Sequence, residues 1–372
     1  MELERLAYTA RGALSYYMDQ KPDAYPVKPQ YDQKRNTHIV FTFWKAPEYP
    51  QAKMLMRELQ ARFKGDGLPI GVGLFTRPMG DVTAEKKRDF AYDPQGLNDF
   101  LQAAVDTDMP VFINTSGMQW TEVAYKGSPL LRHLEERGPN WMKLEDGSRV
   151  KRKLQPPGTL LRGLFGSDSN GVLYLSPGSP EVKYYRERNL AQMAEAIKPF
   201  SDQYPDLFLG VSTENEVDYP GKWITGGKKL AAADEERKKW DVRNVLKRNI
   251  KIFQDAGLPN IYTNQSVEDA VNRGSPLGTA ALEGSNIGIT TWRRGNMKLY
   301  NQTQSLAGGA GIKWALVVSN PLSLSEYENF WELQQAIYCR PAFIGLYNWW
   351  PHFWGYSIRG MPIERAVRSF TK

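Results

Sequence analysis

Eight short apolar runs, each closed by polar residues, constrain the fold of this 372-residue chain more than any other feature. The first is Ile39-Val40-Phe41-Thr42-Phe43-Trp44. A helical pattern over about 50–64 follows it, with Leu55, Leu59 and Phe63 on one face. The second is Ile70-Gly71-Val72-Gly73-Leu74-Phe75, and its later helix, about 94–106, carries Leu97, Phe100, Leu101, Ala104 and Val105 at the spacing of a half-buried face. The third, Pro110 to Asn114, opens onto an excursion over 116–179 that is rich in Gly, Pro and charge. Ser179-Pro180-Glu181 then reads as an N-cap, a first-turn proline and a dipole-matched acid. The remaining runs are Leu207–Ser212, Asn260–Gln265, Asn286–Trp292, Lys313–Val318 and Ala342–Trp350. Eight strands alternating with helices predict a (β/α)₈ barrel, an α/β fold with a long insertion after strand three. Residues 37–372 form that barrel, and 1–36 read as an N-terminal segment packed on it. A doubly wound open sheet is the competitor, and no Gly-rich dinucleotide fingerprint or phosphate loop supports it.

Composition narrows the partners. Aromatics make up 12% of the chain and include 11 Trp, an excess that core packing absorbs only in part. Exposed aromatic rings also stack on sugar faces. The formal charge of +7 leaves room for an anionic partner. No zinc finger, RNP-like segment or basic helix points to nucleic acid, and no run is long enough to span a membrane. The single cysteine, Cys339, excludes an internal disulfide framework. Met1-Glu2-Leu3-Glu4 does not read as a signal peptide; secretion or a periplasmic location is favoured only if a leader has been removed.

In a barrel the residues that close the strands form the active face. Here they are Trp44, Arg77, Asn114, Glu214 to Glu216, Asn264, Gln265, Trp292 to Arg294, Ser319, Asn320 and Asn348 to Trp350, with His352 just beyond. Amides and arginines hydrogen-bond hydroxyls, and tryptophans offer flat platforms, so the set suits a sugar. Trp44, Arg77, Asn114, Asn215, Gln265, Trp292, Arg293, Asn320, Trp349, Trp350 and His352 are therefore the candidate substrate ligands. Three histidines, none in a ligand-like pair, argue against a metal site, and no cofactor is implied. Glycoside hydrolysis needs two carboxylates. Glu216 and Glu214 close the fourth strand, where partial desolvation raises a carboxyl toward acid/base duty.

Asn215-Glu216 at the end of a fourth barrel strand resembles the Asn-Glu pair of glycoside hydrolase clan A. The aromatic Tyr347-Asn348-Trp349-Trp350 is similar to that clan's last strand, and residues 170–220 loosely resemble family 42 β-galactosidases. The resemblance implies that Glu216 is the general acid/base and Asn215 a ligand to the substrate. The chain departs from the clan at strand seven, where the nucleophile is expected and Val318-Ser319-Asn320-Pro321 offers no acid. Ser325-x-x-Glu328 reads as a capping box instead. Glu283 is the second-carboxylate candidate if the strand register slips by one element; Glu214 and Asp218 are the others. A retaining hydrolase, an inverting one, a glycan-binding barrel and a lyase or isomerase with one general base all stay open.

Overall fold

The computed structural model describes residues 37–83, 89–116, 128–137, 140–152, 179–215, 246–266, 284–291, 297–318, 325–350 and 358–372, with isolated positions between them. Segment 1–36 lies outside the described residues. The predicted barrel is there. Strands β1 (His38–Phe43), β2 (Ile70–Thr76), β3 (Val111–Ser116), β6 (Phe208–Asn215), β7 (Ile261–Ser266), β8 (Asn286–Thr291), β9 (Trp314–Val318) and β10 (Phe343–Trp350) pair in chain order, and β10 closes on β1. Every pairing in the barrel is parallel. A two-stranded antiparallel ribbon, β4 (Lys151–Arg152) with β5 (Val172–Leu173), lies in the insertion.

Both faces of each barrel strand are covered, so the strands read as continuous apolar runs rather than alternating ones. The inner face carries Val40, Phe112, Tyr262, Ala315 and Phe343 in one buried cluster. The rings of Phe112 and Phe343 lie 4.3 Å apart, and Tyr262 sits 5.7 Å from the first and 5.4 Å from the second. These rings fill the barrel interior as packed layers. The outer face packs on helices α1 (Tyr49–Phe63), α2 (Gln95–Thr107), α4 (Pro180–Gln203), α5 (246–255), α6 (Met297–Gly309), α7 (Glu326–Tyr338) and α8 (Pro362–Thr371). Gly210 interrupts β6 for a physical reason. Its φ is +143°, and a Cβ there would stand 2.4 Å from the Asn260 carbonyl oxygen.

The capping box of α7 forms as expected. The Ser325 hydroxyl accepts from the Glu328 N–H, while the Glu328 carboxylate accepts from the Ser325 N–H. Ser179 stands at the N-cap of α4, but its hydroxyl donates to the Asn140 side chain and caps nothing. That difference follows from the insertion, whose described part folds against the barrel. Helix α3 (Pro129–Glu135) contributes Leu130, Leu131 and Leu134 to a second cluster with Met79, Phe90, Trp141, Leu175 and Val182. Asn140 ties it down, donating to the Leu134 carbonyl and to Glu181 at 2.9 Å.

Glu181 also receives Arg137 at 2.9 Å and His133 at 3.1 Å. Burial pushes its carboxyl up, but the Asn140 amide, His133 and Arg137 outweigh it, and the net pKa is lowered. A depressed folded pKa means that this contribution is full above the unfolded value, about 4.3, and is lost as pH falls through the folded one. Limited proteolysis should therefore cut the insertion faster at pH 4 than at pH 7. Glu181→Gln should cut quickly at both pH values; a variant that kept the wild-type pH response would place the acid sensitivity elsewhere.

Candidate active site

The tip of β6 departs from a regular ladder. Asn114 pairs with Ser212, yet Ser116 pairs with Asn215, so β6 spends one residue more than β3 over the same rise. On its other side Ser212 pairs with Tyr262 and Asn215 with Asn264, which repeats the offset. A bulge at Thr213-Glu214 thus bends the strand immediately before Glu216. Bulges of this kind re-aim side chains beside active sites. The backbone of Asn215 consequently takes the register position of Ser116 and Asn264.

The approach to that bulge is held by hydrogen bonds between strands. The Ser212 hydroxyl donates to the Asn114 side-chain oxygen and accepts from the Thr115 N–H at 3.1 Å, and the Thr115 hydroxyl donates to the Ser212 carbonyl at 2.7 Å. Asn114 is 3% exposed. The sequence placed it as a substrate ligand; in the structure it is a strut between β3 and β6. Its amide points at the strand that carries the carboxylates.

The other described candidates are also built into the protein. Trp44 is 7% exposed and packs at 4.8 Å against Phe75, which leaves little ring face for a sugar. Arg77, 4% exposed, grips Asp81 through Nη2 at 2.9 Å and Nε at 3.3 Å, and Asp81 also accepts the Arg77 backbone N–H. That pairing neutralises it and folds the loop after β2. Trp349 corrects the expectation of a subsite wall. Its ring is fully buried among Phe41 at 5.4 Å and Phe63 at 5.8 Å, with Arg62 and Arg359 over its faces. Phe63 belongs to α1, so Trp349 faces the helix layer. Between the partners of Phe41 and Phe43, β10 carries two residues more than β1, and Trp349 falls in this irregular stretch.

Glu216, Trp292, Arg293, Asn320 and His352 lie outside the described residues, and Glu214, Asn215, Gln265 and Trp350 are described in backbone only. Glu283 is also outside them, but its neighbours are informative. Strand β8 begins at Asn286, so the expected register holds and no slip occurs. Ser285 bonds the Ile261 carbonyl and the Thr263 hydroxyl at the N-terminal end of β7, the face opposite the strand tips. Glu283 is therefore not carried forward as the second carboxylate.

Two residues at this rim escaped the sequence reading. Asn189 on α4 donates to the carbonyls of Pro78 at 2.8 Å and Phe90 at 3.1 Å, which anchors the loop after β2. Arg186, one turn earlier, is 2% exposed. Both fall on the stripe with Val182, Leu190, Met193 and Ile197, so a polar residue on an apolar face was the available signal. Nearby, the Tyr92 hydroxyl bonds Thr76 at 2.6 Å, and burial raises its pKa, so the phenol stays neutral. Among the described residues, no group of three His, Cys, Asp or Glu is placed to hold a metal ion. No helix of the described residues is long and apolar enough to cross a membrane.

No family model and no curated protein matches the chain. Solved structures do. The catalytic domain of a β-amylase from Paenibacillus polymyxa is similar with a TM-score of 0.51 at 12% identity, over 84% of this chain and 92% of that one. An endo-β-1,4-mannanase from Thermotoga petrophila gives a TM-score of 0.55 at 6% identity, over 91% of this chain and 77% of that one. At such identities the likeness is one of fold, and together with the closed parallel barrel it establishes a (β/α)₈ barrel.

Proposed function

We propose that the protein is a glycoside hydrolase of the clan A type, with Glu216 as general acid/base and Asn215 as a ligand to the sugar. The bulged tip of the fourth barrel strand carries this reading, because the backbone of Thr213-Glu214-Asn215 ends the strand on the face where barrel enzymes do their chemistry, and Glu216 is the next residue in the chain. The fold neighbours, an amylase and a mannanase by name, agree with a polysaccharide substrate. Gln265, Trp292, Arg293, Asn320, Trp350 and His352 complete the proposed sugar contacts. Glu214 and Asp218 remain the candidates for the second carboxylate.

The test is product stereochemistry. Proton NMR of the first product released from α- and β-linked glucans, mannans and galactans reads the anomer directly. Retention implies carboxylates about 5–5.5 Å apart, and inversion about 6.5–9.5 Å. Strand β9 ends at Val318 and the chain continues Ser319-Asn320-Pro321. That acid-free ending favours a second reading, a glycan-binding barrel. It would show affinity for a glycan with no new reducing ends, and an unsaturated product would mean a lyase.

A further inference from the structure

We infer that Arg186 is the receptor for an oxyanion carried by the ligand, a sugar carboxylate or sulfate ester, at the rim between β3 and β6. The inference rests on the carbohydrate reading above and narrows it to anionic glycans.

Arg186 is 2% exposed, and none of its three guanidinium nitrogens has a hydrogen-bond partner. An arginine stays charged at any ordinary pH. An isolated charge withdrawn from water is heavily penalised unless an anion meets it. The other arginines nearby are met or exposed, Arg132 being among the exposed. Arg188 pairs with Asp89, Arg137 with Glu181, and Arg149 stacks on Trp141. Arg186 alone among these is buried and unmatched.

Its height in the fold identifies what it serves. The ring of Phe200 in α4 packs 6.4 Å from that of Phe208, which gives helix and strand a common floor. From there the helix climbs about 21 Å to Arg186 at about 1.5 Å per residue. The strand climbs only about 13 Å from Phe208 to Glu214 at about 3.3 Å per residue, because its two bulges leave Glu214 about four residues above Val111 on β3. Arg186 thus stands above the tip of β6, at the active-face end of the fold, and helical side chains lean further toward the helix N-terminus. On β6 itself, the Thr213 hydroxyl is fully buried and also lacks a partner. A buried five-donor fork left unmet at the active-face end of the fold is what an oxyanion requires. The fork geometry of guanidinium matches carboxylate and sulfate alike.

Thermal melts of the full chain test this without any assay of turnover. Galacturonate, glucuronate and inorganic sulfate are each titrated at constant ionic strength against chloride, with wild type, Arg186→Met and Arg186→Lys. Wild type should gain melting temperature with at least one of these oxyanions. Arg186→Met should weaken that response about 10- to 100-fold, and Arg186→Lys should fall between. A response to the uronates alone assigns a carboxylated sugar, and one to sulfate alone a sulfate ester. Without ligand, Arg186→Met should melt higher than wild type, because it removes an uncompensated buried charge. A lower melting temperature would show that the chain itself neutralises Arg186 and would overturn the proposal, as would equal oxyanion responses in all three proteins. Oxyanion binding without turnover would remove the hydrolase reading and leave this one standing; turnover of neutral glycans with no Arg186 dependence would do the reverse.

Discussion

Glu216→Gln is expected to lower kcat on a natural glycan by about 10³-fold, the middle of the range for a positioned general acid. The amide fills the same space and keeps hydrogen-bonding capacity but cannot deliver a proton to the leaving oxygen. KM should change little, so the loss appears in kcat and kcat/KM alike, the signature of an interaction made in the transition state. An aryl glycoside with a good leaving group needs little protonation, and its cleavage should suffer far less. Glu214→Gln separates the two acids of the strand tip. If Glu214 is the second carboxylate, its loss is large with every leaving group. A Glu216→Gln enzyme within about 10-fold of wild type on the natural substrate would remove Glu216 from the acid role.

Trp349→Ala should cost about 3–5 kcal/mol of unfolding free energy, the range for deleting a large aromatic from a packed core. The ring is fully buried between β10 and α1, touching Phe41 and Phe63, and it offers a π-face to Arg62 and Arg359. Removing it opens a cavity and takes away both cation–π contacts. Trp349→Phe keeps most of the volume and should cost less. Urea melts give the numbers, and kinetics on the surviving protein supply the contrast. Unchanged stability with a raised KM would return Trp349 to the substrate and contradict its position in the core.

The barrel was legible because its signal is repeated. Eight apolar runs, each paired with a helix period, state the same architecture eight times, and an error in one would not have changed the count. The site was harder to read because it depends on single residues. Trp349 and Trp350 look alike in sequence, and only the packing of Trp349 on Phe41 and Phe63 shows that it faces the helices. Trp44 and Arg77 directly follow their strands and Asn114 lies two residues before the end of β3, but neighbours that sequence does not reveal, Phe75, Asp81 and Ser212, already occupy them. Glu283 was kept by supposing a slipped register, which the start of β8 at Asn286 rules out. Arg186 was overlooked because a lone arginine on an amphipathic helix is assumed to reach solvent.

The stacked rings of Phe112, Tyr262 and Phe343 give the barrel a direction. They close its axis, so nothing can pass through from end to end. Whatever binds at the mouth must leave through the opening by which it arrived. Entry and exit therefore share one door, and a product that lingers there blocks the next arrival.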